Sequence, residues 1–299
     1  MWDVIVIGGG PAGLSAALVL GRARRRVLVC DAGRPRNAKA QFVNGFLTRD
    51  RIPPADLLHI ARDQLKRYDT IERHDALVED AQSADGRFRV QFADGTVVEA
   101  RKLLLATGVV DRLPNIAGID FFYGRSVFHC QYCDGFEVRD QPLAVYGPGT
   151  KGIGQARSLL GWSRDVVVCT NGPVAIPRTH RRVLRRLGIV VCQDRIERLE
   201  GEDGQLTQIV FATGETLPRR ALFFNTEQYQ RSPLPARLGC RITRKGSVVV
   251  DKKGRTSVPG VFVAGDASRD VQLAIVAAGE GASAAVAMNG DLLEEDFSA

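Results

Sequence analysis

Short runs of consecutive apolar, mostly β-branched residues recur along the chain, each closed by glycine, asparagine or aspartate. Residues 3–7 (DVIVI) meet Gly8-Gly9-Gly10-Pro11-Ala12-Gly13 and then the helix-like LSAALVLGRA, and Val27–Cys30 (VLVC) ends at Asp31. Leu103-Leu104-Leu105 runs into Ala106-Thr107-Gly108. Leu143–Tyr146 leads to Gly147-Pro148-Gly149-Thr150-Lys151-Gly152 and the helix-like IGQARSLLGW, and Val166–Cys169 ends in Thr170-Asn171-Gly172. Residues 260–263 close the series with Ala264-Gly265-Asp266 and a predicted helix from about Gln272. Unbroken apolar runs of three to five predict strands buried on both faces, and their alternation with helices predicts an α/β fold with parallel sheets.

The first run carries a nucleotide fingerprint. Gly8 permits a tight turn, Gly10 lets the backbone approach a pyrophosphate, and Gly13 lets the helix pack closely on the strand. Pro11 and Ala12 open that helix, whose N-terminus favours negative charge. Asp31, 23 positions after Gly8, ends the next strand, where a carboxylate accepts from a ribose. The run through Thr107 and Gly108 and the closing Gly265-Asp266 resemble the segments of two-dinucleotide flavoproteins that return to the cofactor. That resemblance implies FAD at the first site, in a domain built from both chain ends. The expectation is therefore two Rossmann-like dinucleotide-binding domains, the second inserted into the first: 1–112, 113–243 and 244–299.

The inserted fingerprint is incomplete. Its glycines fit a dinucleotide fold, but its second strand ends in Thr170-Asn171-Gly172 instead of an acid for NAD or basic residues for NADP. NADPH binding is thus doubtful. The basic stretch Arg178-Thr179-His180-Arg181-Arg182 lies about ten residues late, as a displaced phosphate site, a solvated helix face or a patch for an acidic partner.

Composition narrows the class. The 299 residues are 44% hydrophobic and 25% charged, ordinary globular usage that suits two domains. The net charge of +7 is spread over scattered arginines without a nucleic-acid motif, so no nucleic acid is expected, and attraction to acidic proteins or phosphates is the alternative. With no basic leader and no uninterrupted apolar span, a soluble cytoplasmic protein without membrane attachment is expected. Cys30, Cys169 and Cys192 lie in apolar runs and are expected as buried small hydrophobes. The tail 292–297 is expected to fray, with Phe297 as an aromatic that could cover a flavin.

Between the fingerprints stands His129-Cys130-Gln131-Tyr132-Cys133-Asp134-Gly135-Phe136. Cysteines at i and i+3 on an opening helical turn can bridge, the helix start favours thiolate, and a protonated His129 would lower a thiol further. Asp134 adds a carboxylate for proton transfer. Half a zinc site is the rival, but no second CxxC or HxxxH supplies the other ligands, so no metal is expected.

Together these motifs resemble the low-molecular-weight thioredoxin reductases over essentially the whole chain. The resemblance implies that Cys133 faces the flavin, that Cys130 attacks a substrate disulfide, that Asp134 assists proton transfer, and that Asp266, Gln272, Leu273 and Ala274 reach the flavin. It also implies a thioredoxin-like partner and a homodimer. The chain departs from the NADPH-dependent members, which carry His-Arg-Arg where Thr170-Asn171-Gly172 stands and a glycine-containing strand end where Leu222-Phe223-Phe224-Asn225-Thr226-Glu227-Gln228 stands. Phe46-Leu47-Thr48-Arg49-Asp50, Ile52-Pro53-Pro54 and His129 resemble a divergent branch that includes pyridine-nucleotide-independent reductases and dithiol oxidases. Three functions follow as expectations: a disulfide reductase fed by ferredoxin or a second flavin, an oxidase of a small dithiol that uses oxygen, and a flavoprotein sensor without turnover.

Overall fold

The computed structural model describes residues 1–84, 86–268 and 271–298. The chain divides into two compact units, one of Met1–Ala38, Gly45–Val110 and Gln228–Ala299, the other of Lys39–Asn44 and Asp111–Glu227.

In the first unit, Ile71–His74, Val27–Cys30, Trp2–Ile7 and Val97–Leu105 lie side by side as parallel strands. Arg87–Phe92 and Val78–Ala84 extend the sheet antiparallel. The strand Val97–Leu105 serves two partners. Its first half pairs with the hairpin, and its last three residues pair in parallel with Val261–Val263. The central parallel segments, Val4–Ile7, Val27–Cys30 and Leu103–Leu105, are buried at every position because both sheet faces are covered, which explains their unbroken apolar runs, whereas the edge strand Ile71–His74 is largely exposed. Arg87–Phe92 instead alternates, with Phe88, Val90 and Phe92 inward and the intervening polar residues exposed.

One face of this sheet carries the helices Pro11–Arg22 and Ala274–Ser298, which share a core. Small residues bring them together: a Cβ at Gly281 would lie 1.9 Å from the carbonyl oxygen of Ala12. The last helix begins two residues later than the sequence pattern predicts.

The tail does not fray. It is helical to Ser298, and Asp296 pairs with Arg25 at 2.6 Å and with Arg101 at 2.7 Å. Glu295 meets Arg101 at 2.9 Å and also pairs with the buried Lys102. These pairs hold the last turn where an uncompensated chain end would melt. Phe297, next to these paired residues, is 85% exposed.

In the second unit, five parallel strands run in the order Val190–Cys192, Val166–Cys169, Leu143–Tyr146, Ala221–Phe224 and Val127–Phe128. A three-stranded antiparallel sheet of Ile196–Glu202, Gln205–Phe211 and Thr216–Pro218 packs into the same core. The helices Gly152–Leu159 and Arg178–Leu187 belong to this unit, and the second buries Leu184 while exposing its arginines. Among the described residues no helix is long and apolar enough to cross a membrane.

Candidate functional site

The first fingerprint forms an open backbone cradle. Gly8 has φ +116°, and a Cβ there would lie 2.2 Å from the carbonyl oxygen of Ala106. A Cβ at Gly13 would lie 1.9 Å from the carbonyl oxygen of Gly8, so strand and helix touch backbone to backbone. At Gly10 a Cβ would meet nothing within 4 Å. The twelve-residue helix Pro11–Arg22 starts beside that open space with no side-chain cap and no acid in its first turn. Its first N–H groups are left for an anion. Thr107 Oγ1 is buried without a hydrogen-bond partner among the described residues, and the neighbouring Gly108, at φ +65°, also faces open space. Asp31 ends its strand as expected, paired with Arg62 at 3.0 Å and accepting from the Gly33 N–H at 3.2 Å. An open anion cradle, an orphaned hydroxyl and a strand-end carboxylate fit the parts of a dinucleotide such as FAD.

The closing segment is fixed from two directions. The Gly265 N–H donates to Glu280 Oε2 at 2.9 Å, which ties the turn to the following helix. Arg36 pairs with Asp266 at 2.8 Å and donates to Gln272 Oε1 at 2.7 Å. Gln272 and Gln228 exchange amide hydrogen bonds at 2.9 and 3.0 Å. Leu273 and Ala274 follow, half-buried at the start of the last helix. Arg36 had no sequence signal as a site residue, because its partner Asp266 lies 230 positions away, and Gln228 stood out only as part of the altered strand end 222–228, not as a partner of Gln272.

The dithiol lies in the second unit as a disulfide, with Cα atoms 5.3 Å apart. Cys130 caps the short helix Gln131–Asp134 in an extended conformation, and its Sγ accepts from the Cys133 N–H at 3.1 Å. Asn44 Nδ2 donates to the Cys133 carbonyl at 2.8 Å, while Asn44 Oδ1 is buried without a partner among the described residues. Beneath the turn lies Trp162, so close that a Cβ on Gly135 would sit 3.1 Å from its ring. Tyr132 meets Trp162 edge-on at 5.4 Å. Tyr132 and Phe136 are both exposed and flank the pair in sequence.

Burial, followed by the nearby Glu137 carboxylate, pushes the Asp134 carboxyl up to about 7. At neutral pH this acid therefore both holds and releases a proton. The His129 ring contacts Tyr123 OH through Nδ1 at 3.4 Å, and the same hydroxyl donates to Asp111 at 3.1 Å. Gln155 Nε2 donates to the His129 carbonyl at 3.3 Å. Asn44, Tyr123, Gln155 and Glu137 escaped the sequence analysis, since only the fold brings the first three to the dithiol segment.

At the second fingerprint, the strand-end residues turn inward. Thr170 Oγ1 donates to the Gly172 carbonyl at 2.8 Å, and Thr170 is buried. Asn171 accepts from the Ile196 N–H at 2.8 Å and donates to Tyr146 OH at 3.5 Å. The side chains at the ribose-recognition positions thus bond to their own unit. Arg178, His180, Arg181 and Arg182 are exposed on their helix. Cys30 and Cys169 are buried as expected, whereas Cys192 is only half-buried because its strand lies at the sheet edge.

A flavin-type cradle in one unit and a CxxC disulfide in the other define a two-fingerprint flavin disulfide oxidoreductase. The chain belongs to the pyridine nucleotide-disulphide oxidoreductase family, whose model matches residues 2–281. Within it the chain is a thioredoxin reductase-like oxidoreductase, for which the family implies FAD. It is 33% identical to a protein of Arthroderma benhamiae named probable thioredoxin reductase, over 90% of this chain and 74% of that one. The crystal structure of TrxB from Bacillus anthracis superposes with a TM-score of 0.94 at 34% identity, covering 99% of this chain and 100% of that one. The structure of HlmI gives the same TM-score at 37% identity, covering 99% and 94%.

Proposed function

We propose that the Cys130–Cys133 pair reduces a small protein disulfide such as that of thioredoxin, with electrons supplied by ferredoxin or a second flavin and not by NADPH. The observation that carries the reading is a partly exposed dithiol turn beside a carboxylic acid poised near neutrality. A bound FAD, held by Gly8, Gly10, Gly13, Asp31, Thr107 and Asp266, would supply the electron pair that opens the disulfide. Once the pair is reduced, the Cys133 N–H stabilises the Cys130 thiolate through the bond present at 3.1 Å. Cys130 attacks one sulfur of the substrate disulfide, a mixed disulfide forms, and the displaced thiolate takes a proton from Asp134. Cys133 then attacks Cys130, releases the second substrate thiol and restores the intramolecular disulfide. Exposed Tyr132 and Phe136 offer apolar contact to a protein substrate at the same turn.

The inward-turned Thr170 and Asn171 support a donor other than NADPH, since neither presents a charged group to a ribose or its phosphate. Anaerobic titration of the yellow protein with NADPH, NADH, reduced ferredoxin and dithiothreitol tests this through the flavin absorbance. Ferredoxin should bleach it within catalytic times and NADPH should not. Rapid bleaching by NADPH overturns the donor assignment. Bleaching by a dithiol followed by oxygen uptake and peroxide release replaces the reductase with a dithiol oxidase.

A further inference from the structure

Outside the CxxC turn, two more cysteines are brought together. Cys169 and Cys192 are directly paired positions on adjacent parallel strands, the last residue of each. Paired residues on neighbouring strands point to one face, and both cysteines pack into the same core. Neighbouring strands run about 4.8 Å apart, inside the Cα separations that a disulfide spans. The two thiols are unequal. Cys169 is fully buried and Cys192 is half-buried at the sheet edge. The neighbouring Cys169 thiol holds Cys192 below the usual thiol range, against burial and the Asp194 carboxylate, while the Cys192 thiol followed by burial pushes Cys169 up. Cys192 Sγ also lies 3.4 Å from Asp194 Oδ2, a carboxylate able to take the proton that Cys192 gives up.

We propose that Cys169 and Cys192 are a second redox-active thiol pair, which hydrogen peroxide oxidises to a cross-strand disulfide. Cys192 is the attacking residue and Cys169 the resolving one. The Cys192 thiolate attacks one peroxide oxygen, the O–O bond breaks, and the departing hydroxide is protonated to water. The Cys192 sulfenic acid so formed condenses with the Cys169 thiol: the S–O bond breaks, an S–S bond forms, and a second water leaves. Two thiols thereby lose two electrons and one peroxide gains them. The partial burial of Cys192 selects a small oxidant over a protein disulfide. The backbone already ties these strand ends, since the Thr170 N–H donates to the Cys192 carbonyl at 2.9 Å, so the new bond closes over a preformed junction. This inference does not depend on the donor or substrate proposed for Cys130–Cys133.

Peptide mapping of the full-length protein tests it. The chain is exposed to increasing hydrogen peroxide, free thiols are blocked with N-ethylmaleimide, and tryptic peptides are weighed without reduction. A linked peptide pair containing Cys169 and Cys192, lighter by two hydrogens and dissociated by dithiothreitol, is expected to accumulate while buried Cys30 and Cys240 remain as thiols. In Cys169→Ala, oxidation should stop at a dimedone-reactive Cys192; in Cys192→Ser, Cys169 should stay reduced. Unmodified Cys192 in the treated native chain overturns the proposal, as does a Cys192 sulfenic acid that never couples to Cys169. The native-chain measurement decides the matter whether or not either variant folds.

Discussion

Glu137 raises the proton affinity of Asp134 from three residues away, adding its negative charge to the effect of burial. With Asp134 at about 7, its proton-donating form dominates below neutrality and is lost above it. Disulfide reduction by the pre-reduced enzyme should therefore decline on the alkaline side of pH 7, by about tenfold per unit. Stopped-flow rates across pH 5.5–9 check this. Asp134→Asn should remove that limb and slow the step roughly a hundredfold. Glu137→Gln should move the limb to lower pH, a shift that a purely structural role for Glu137 would not produce.

The same carboxyl links stability to pH. Its folded value lies above its ordinary value of 3.8, so the folded chain retains a proton that the unfolded chain releases. Its contribution is fully present below about 3.8 and is lost as pH rises through about 7. Relative to the native chain, Asp134→Asn should gain Tm progressively between pH 4 and 8, and calorimetry at several pH values measures the gap.

The two cysteines of the CxxC should fail differently when changed. Either serine variant should lose turnover by on the order of a thousandfold, since the pair acts as a unit. Cys133→Ser leaves Cys130 to capture a substrate disulfide, and the mixed disulfide should accumulate because nothing resolves it. Cys130→Ser should trap none. Non-reducing gel electrophoresis with an oxidised thioredoxin reads both outcomes, and trapping by Cys130→Ser instead of Cys133→Ser would reverse the assigned roles.

Glycines around the cradle separate cofactor loss from misfolding. A Cβ at Gly10 meets nothing in the chain, so Gly10→Ala should keep the Tm of the flavin-free protein while losing bound FAD. Gly281→Ala puts a methyl 1.9 Å from the Ala12 carbonyl and should destabilise the chain by about 1–3 kcal/mol. Gly279→Ala, on the same helix with open space around it, should cost nothing by comparison. Flavin-to-protein absorbance ratios and thermal melts of the flavin-free proteins distinguish the three.

The ion pairs at the chain end make the tail structural. Glu295→Gln strips a partner from the buried Lys102 and should lower Tm, more at low salt than at high. A Lys102→Met/Glu295→Gln double variant should recover part of that loss, and a thermal-melt cycle over the four chains measures the coupling. Phe297→Ala should leave both Tm and flavin reduction unchanged.

Strands such as Val27–Cys30 and Leu143–Tyr146 were legible because a doubly covered parallel strand needs an apolar residue at every position, a pattern four letters long. The dithiol was legible for a similar reason, as its chemistry requires two cysteines one helical turn apart. Arg36, Asn44 and Gln155 were not: each meets its partner at least 26 positions away along the chain, and nothing local marks them. The tail was misread because its acidic residues look like a solvated end until Arg25, Arg101 and Lys102 are brought beneath them. The edge position of Cys192 likewise exists only in the strand order.

The pairing of Val261–Val263 with a strand that ends at Leu105 imposes an order on biosynthesis. A ribosome that has released residues up to Glu227 has already delivered everything the second unit contains. The first unit is still missing the strands Gln228–Gln230 and Val261–Val263, the short helix Leu234–Arg237 and the long helix Ala274–Ser298. The whole sequence of the cysteine-bearing unit is thus available for folding while the flavin-type unit still lacks the elements that complete it.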